Sequence, residues 1–94
     1  GQHFLQKTKS FDVSPDDILE TDIRTINGWS AKVNPTLPAD LRNQWCICIT
    51  TNKYKNIHSE SLLQILIGCG RKKVIMTRGS TGTSWGEWGK LIIS

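Results

Sequence analysis

Ninety-four residues with a formal charge of +4 and 37% hydrophobic side chains have chain enough for one small domain and not for a second core. No apolar run approaches the roughly 20 residues of a membrane-spanning helix, the N-terminus does not resemble a signal peptide, and three cysteines do not make a disulfide framework. The charge is uneven: residues 1–40 carry four basic against six acidic side chains (net −2), residues 41–94 eight against two (net +6), and a field of that sign favours partners bearing phosphate or carboxylate.

The opening GQHFLQKTKSFDV has neither a helical nor a strand period and reads as a connector. SPDDILE starts a short helical turn, with Ser14 able to cap, Pro15 at the first helical position and Asp16 and Asp17 at the positive end of the dipole. Asn27-Gly28 marks a turn. WSAKV alternates Trp29, Ala31 and Val33 against Ser30 and Lys32, which predicts a half-buried strand. NPTLPADLRN, with two prolines, is a loop.

QWCICITTN carries the clearest strand signal. Trp45, Ile47 and Ile49 share one face and Cys46, Cys48 and Thr50 the other; both faces are mostly apolar, so the strand is expected to be central and covered on both sides. NKYKNIHSE is a polar loop, SLLQILIG a second apolar strand, GCGRKK a hairpin tip, KVIMTR the return strand, GSTGTS a loop and WGEWGKLII a last strand or extended segment. The expected fold is mainly β, a small antiparallel sheet or sandwich-like knob with at most one or two short helical turns.

Chemistry-bearing constellations are weak. His3, His58 and the cysteines lack CxxC or HxxxH spacing, so no metal and no cofactor is expected. His58 with Ser59 and Glu60 is a set any chain supplies, no GxSxG elbow accompanies it, and GSTGTSWG lacks the lysine of a phosphate loop. The expectation is a protein that is not an enzyme. Cys46 and Cys48, two apart in a strand, cannot easily bond to each other and read as small hydrophobes in a reduced state.

Trp85 and Trp88 lie three apart, so in a regular strand they would face opposite ways and at most one would enter a given pocket. A chain this small needs its aromatic area for stability, which assigns Trp29, Trp45, Trp85 and Trp88 to packing first. The cations Arg71, Lys72 and Lys73 serve solubility and edge protection at a hairpin tip, or contact an anionic polymer. RNA-binding sheets interleave exposed aromatics with basic residues, and RKKVIMTR has none, which leaves nucleic acid as the weaker reading.

The order of these features, DIRTINGWSAKV, WCICIT, LLQILI, KVIMTR and SWGEWGKL, resembles the pyocin-knob module of phage tail fibres and R-type pyocin fibres. Asp22 and Ile23 match its opening pair, Gly28 and Trp29 its glycine-aromatic step, Gln64 its Gln-bearing strand, Arg78 its strand end, and Trp85, Trp88, Lys90 and Leu91 its closing motif. Arg24 departs from the usual Asn, and Trp29 from the more common tyrosine. The resemblance covers residues 22–92. It implies a linker from a fibre shaft over 1–20 and a knob domain over 21–94, no catalysis, and a W-x-x-W that closes the fold with Arg78 over a tryptophan face.

The resemblance also implies other fibre protomers as partners, in a homotrimer of the full-length fibre, and a place in a virion assembled in the host cytoplasm and acting outside the cell. The expected function is a contribution to recognising a bacterial cell-surface polysaccharide. A structural spacer or trimerisation module without ligand, and a basic nucleic-acid-binding module, are the alternatives. Since a glycan site needs an exposed aromatic among amides and hydroxyls, the candidate ligand-binding residues are Asn52, Tyr54, Asn56 and His58, with Arg71, Lys72 and Lys73 for an anionic polymer.

Overall fold

The computed structural model describes residues 9–52, 62–80 and 84–91. They form a five-stranded antiparallel sheet in the order β1 (Asp22–Asn27), β2 (Trp45–Asn52), β3 (Leu62–Gly68), β4 (Ile75–Gly79) and β5 (Gly89–Lys90), each strand beside its sequence neighbour. Three single 3-10 turns, Pro15–Asp17, Asn34–Thr36 and Ala39–Leu41, are the helical content of the described residues. The mainly β class follows from short apolar runs in β2, β3 and β4, whose β-branched residues suit a pleated surface and whose burial alternates along each strand.

The first strand lies before Gly28, where DIRTIN pairs with β2 from Asp22↔Thr50 to Asn27↔Trp45. WSAKV, expected as a strand, is a turn instead. Asn27 Oδ1 accepts from the Trp29 amide at 2.9 Å and Ser30 Oγ from the Lys32 amide at 3.2 Å, so side chains offer this backbone local partners that compete with a ladder. The Gly28 amide donates to the Gln44 carbonyl at 3.0 Å, an approach so close that a Cβ on Gly28 would lie 2.1 Å from that oxygen. Trp29 is consequently 61% exposed and does not supply the packing expected of it.

One face of the sheet carries the core. Ile26, Cys46, Cys48, Leu66 and Met76 pack under Ile18, Val33, Leu37 and Leu41, with Val13, Val74 and Trp88 at the margin. Thus the 3-10 turns and their flanking loops form the second layer. Ser14 caps the first turn by accepting from the Asp16 amide at 3.1 Å, as its sequence position predicts. Pro15 and Ile18 are buried, so the folded unit reaches back into the segment expected to be a connector at 1–20.

Among the described residues no second layer covers the other face, whose central Ile47, Ile49, Ile65, Ile67 and Ile75 are half-buried, so the cover expected on both sides of β2 is seen on one side only. Register places Ile23, Ile49, Ile65 and Thr77 in one row across four strands, and Thr25, Ile47, Ile67 and Ile75 in the next. Ile23 is 71% exposed and Trp45 and Leu63 are also exposed. Trp45 gains one contact on this side, an edge-to-face pairing with Phe11 at 5.4 Å between ring centroids.

Candidate functional site

Arg78 is the centre of the most constrained cluster. Its guanidinium is buried on the covered face, 4.2 Å from the Trp85 ring centroid and 4.3 Å from that of Trp88. Nε donates to Gln64 Oε1 at 2.8 Å and Nη2 to Asp16 Oδ1 at 2.8 Å. Gln64, fully buried, spends its amide on the Pro15 carbonyl at 2.7 Å and Thr50 Oγ1 at 3.0 Å. Trp85 Nε1 donates to the Asp16 carbonyl at 3.2 Å.

Both tryptophans reach the same cation because the chain around them is not a regular strand: Trp85 forms an isolated bridge with Ser80, and β5 begins only at Gly89. The alternation that would have sent them to opposite faces does not apply. Desolvation lowers the guanidinium pKa, and the hydrogen bond and charge of Asp16 oppose that shift. Arg78 Nε and Nη2, the Gln64 amide and the Trp85 indole N–H each meet an acceptor within the fold, so this cluster ties the N-terminal turn to β3, β4 and the closing segment.

A second constellation lies at the hairpin end. Gln44, buried, accepts from the Lys72 amide at 3.0 Å and donates to the Lys72 carbonyl at 3.1 Å and the Asp40 carbonyl at 3.3 Å, which brackets the β3–β4 tip against the 39–41 turn. Asp40 Oδ1 then lies 3.3 Å from Lys72 Nζ and its Oδ2 2.7 Å from Lys90 Nζ. Hydrogen bonds from Lys90 and then Lys72 hold the Asp40 carboxyl below its ordinary pKa.

Around them sit Arg42, Arg71 and Lys73, all exposed, and a cleft of ≈ 120 Å³ runs between the 39–44 segment and the tip. Two cations, Lys72 and Lys90, therefore pair with one carboxylate, and Arg42 and Arg71 line the cleft beside it. Arg42 also donates from Nε to the Leu37 carbonyl at 2.8 Å, which holds its planar head in place. Sequence reasoning picked out Arg71, Lys72 and Lys73 but missed Arg42, Lys90 and Gln44. Linear spacing carries no signal for them, because only the hairpin and the β5 register bring residues 42, 72 and 90 together.

Of the polar-loop candidates, Tyr54, Asn56 and His58 lie outside the described residues. Asn52 is described, and it is a residue of the fold: buried at the end of β2, it donates from Nδ2 to the Leu19 carbonyl at 2.8 Å. It stands at the opposite end of β3 from the basic tip, about 20 Å of strand away, so Asn52 takes no part in a site at the tip.

Cys46, Cys48 and Cys69 are free. Burial pushes the Cys46 thiol up to about 12 and raises that of Cys48, while Cys69 is exposed. Among the described residues, no three His, Cys, Asp or Glu side chains come together as a metal site would need. Comparison of the chain with protein families, with curated proteins and with solved structures finds no match.

Proposed function

We propose that this chain is a non-enzymatic knob module of a phage tail fibre that helps the fibre engage an anionic polysaccharide on the host-cell surface. The observation that carries this reading is the pairing of Lys72 and Lys90 with Asp40 beside a cleft lined by Arg42 and Arg71, with Lys73 exposed next to them in the hairpin tip. Such a surface meets phosphate or carboxylate groups spaced along a polymer, and loops on a rigid sheet are where such contacts are made. The knob part of the reading rests on the resemblance, and Gln64, Arg78, Trp85 and Trp88, four of the residues that carry it, meet in one cluster. That cluster leaves recognition to the surface.

The test is binding of the domain to lipopolysaccharide core and teichoic acid fragments, with a neutral glycan and duplex DNA as controls. Arg71→Glu with Lys73→Glu reverses charge at residues that form no ion pair among the described ones, so the fold is spared. Affinity for the phosphate-bearing glycans should fall at least about tenfold and should weaken with salt. Unchanged glycan binding in the double variant would overturn the reading, as would tighter binding to DNA than to any glycan.

A further inference from the structure

We infer that the open face of the sheet is an interface with a second copy of this chain, packed sheet against sheet. The inference stands on the sheet itself and not on the fibre reading. No charged side chain lies on that face among the described strand residues: register and alternation put Asp22, Arg24, Arg78 and Lys90 on the covered side and isoleucines, threonines and Leu63 on the open one. A soluble antiparallel sheet with one face in water normally alternates apolar with polar residues. Here the outward positions of β2 and β3 are as apolar as the inward ones.

Three observations choose the occupant. The first is charge. A partner presenting charged groups would have them desolvated against isoleucine without a counter-ion, whereas a face whose strand residues are uncharged, with Lys9 and Arg24 confined to its β1 rim, meets an identical face without that penalty, and a two-fold arrangement lets the same patch serve both sides. The second is the state of the edges. Residues 10 and 11 run beside β1, the Phe11 carbonyl accepting from the Asn27 amide at 2.9 Å and the Ser10 carbonyl from Arg24 Nη2 at 2.8 Å. At the far edge β5 is only two residues long. With both edges blunted, strand addition is disfavoured and the face is what remains.

The third is size. Four strands about 4.8 Å apart and about 20 Å long present a projected patch of roughly 400 Å². That is the scale of a functional patch on a monomer. Two copies would bury roughly 800 Å² of projected face, which lies in the weak, concentration-dependent class. β-Branched side chains from the two faces would interdigitate at a sheet separation of about 10 Å.

Sedimentation velocity and light scattering from about 10 μM to about 1 mM test this, using the range a weak interface demands. Wild type should shift from monomer to oligomer across that range. Ile23→Lys and Leu63→Lys sit on the face at positions already exposed in the single chain, so both variants should keep the wild-type melting temperature at low concentration and remain monomeric throughout. Arg71→Glu, at the hairpin end, should associate like wild type. The inference is overturned if wild type stays monomeric at the highest concentration, as it would were the face covered by the chain's own undescribed residues, or if an oligomer forms that neither lysine variant dissociates.

Discussion

Truncating Arg78 to alanine gives a quantitative test of the cluster that closes the fold. The substitution removes a charge-assisted hydrogen bond to Gln64 Oε1 inside the core and another to Asp16 at its margin, each worth about 1.5 to 3 kcal/mol when well shielded. The Asp16 bond counts for less, since that carboxylate is 45% exposed. It also removes a cation stacked on two indoles, about 0.5 to 1 kcal/mol each, and takes from the buried Gln64 carbonyl its guanidinium donor. Relief of the guanidinium's own desolvation offsets part of this, and the net expected loss is about 3 to 5 kcal/mol.

Domains of this length have roughly 5 to 14 kcal/mol in total, so the melting temperature should fall by about 15 to 30 °C. Urea denaturation followed by far-UV circular dichroism is the suitable assay, because removing a cation from two tryptophans alters their fluorescence directly. Arg78→Lys should lose about 2 kcal/mol, since an ammonium keeps the charge but lacks the planar fork that spans Gln64 and Asp16. A loss below about 1 kcal/mol for the alanine variant would refute the claim that this guanidinium organises the closing segment.

Further outcomes follow from the same geometry. Gly28→Ala should destabilise by roughly 1 to 3 kcal/mol in a thermal melt, because the new Cβ meets the Gln44 backbone oxygen and not a yielding side chain; an unchanged melt would contradict the tight crossing. Iodoacetamide at about pH 8 should add one label to the native protein, at Cys69, and three in denaturant by mass spectrometry. Two rapid native labels would mean that the covered face is open. Asp40 and Asp22 both have depressed carboxyl pKa values, through hydrogen bonds from Lys90 and Lys72 and from Lys9 respectively. Their stabilisation is therefore present above the ordinary value of 3.8 and lost as pH falls through the lowered ones. Amide protection factors at the hairpin tip, taken relative to intrinsic exchange at each pH, should fall on acidification below about pH 4 before those at the centre of β2, and simultaneous loss would argue against a local tether.

Much of the sheet was legible in the chain. The short apolar, β-branched runs WCICITT and LLQILI, bounded by Gly68-Cys69-Gly70, placed β2, β3, the tip and β4 correctly, and Ser14-Pro15-Asp16 marked its own turn. The strand at 22–27 is not legible in the same way although Ile23, Thr25 and Ile26 carry β-branched character, because Asp22, Arg24 and Asn27 interrupt the apolar run and its pairing with β2 supplies what the local sequence does not. Of the basic end, three of five cations were readable as a run, and Arg42 and Lys90 were not.

The sequence by itself determined the β character, the hairpins and the sign of the charge, because a side-chain period of two and the backbone freedom of glycine act over a few residues at a time. Tertiary structure alone decided which face of β2 is covered, that Trp29 stands in solvent while Trp85 and Trp88 clasp one guanidinium, and that residues 42, 72 and 90 meet around Asp40. Those outcomes depend on contacts between segments tens of residues apart, whose free energy appears only once the sheet has brought them together.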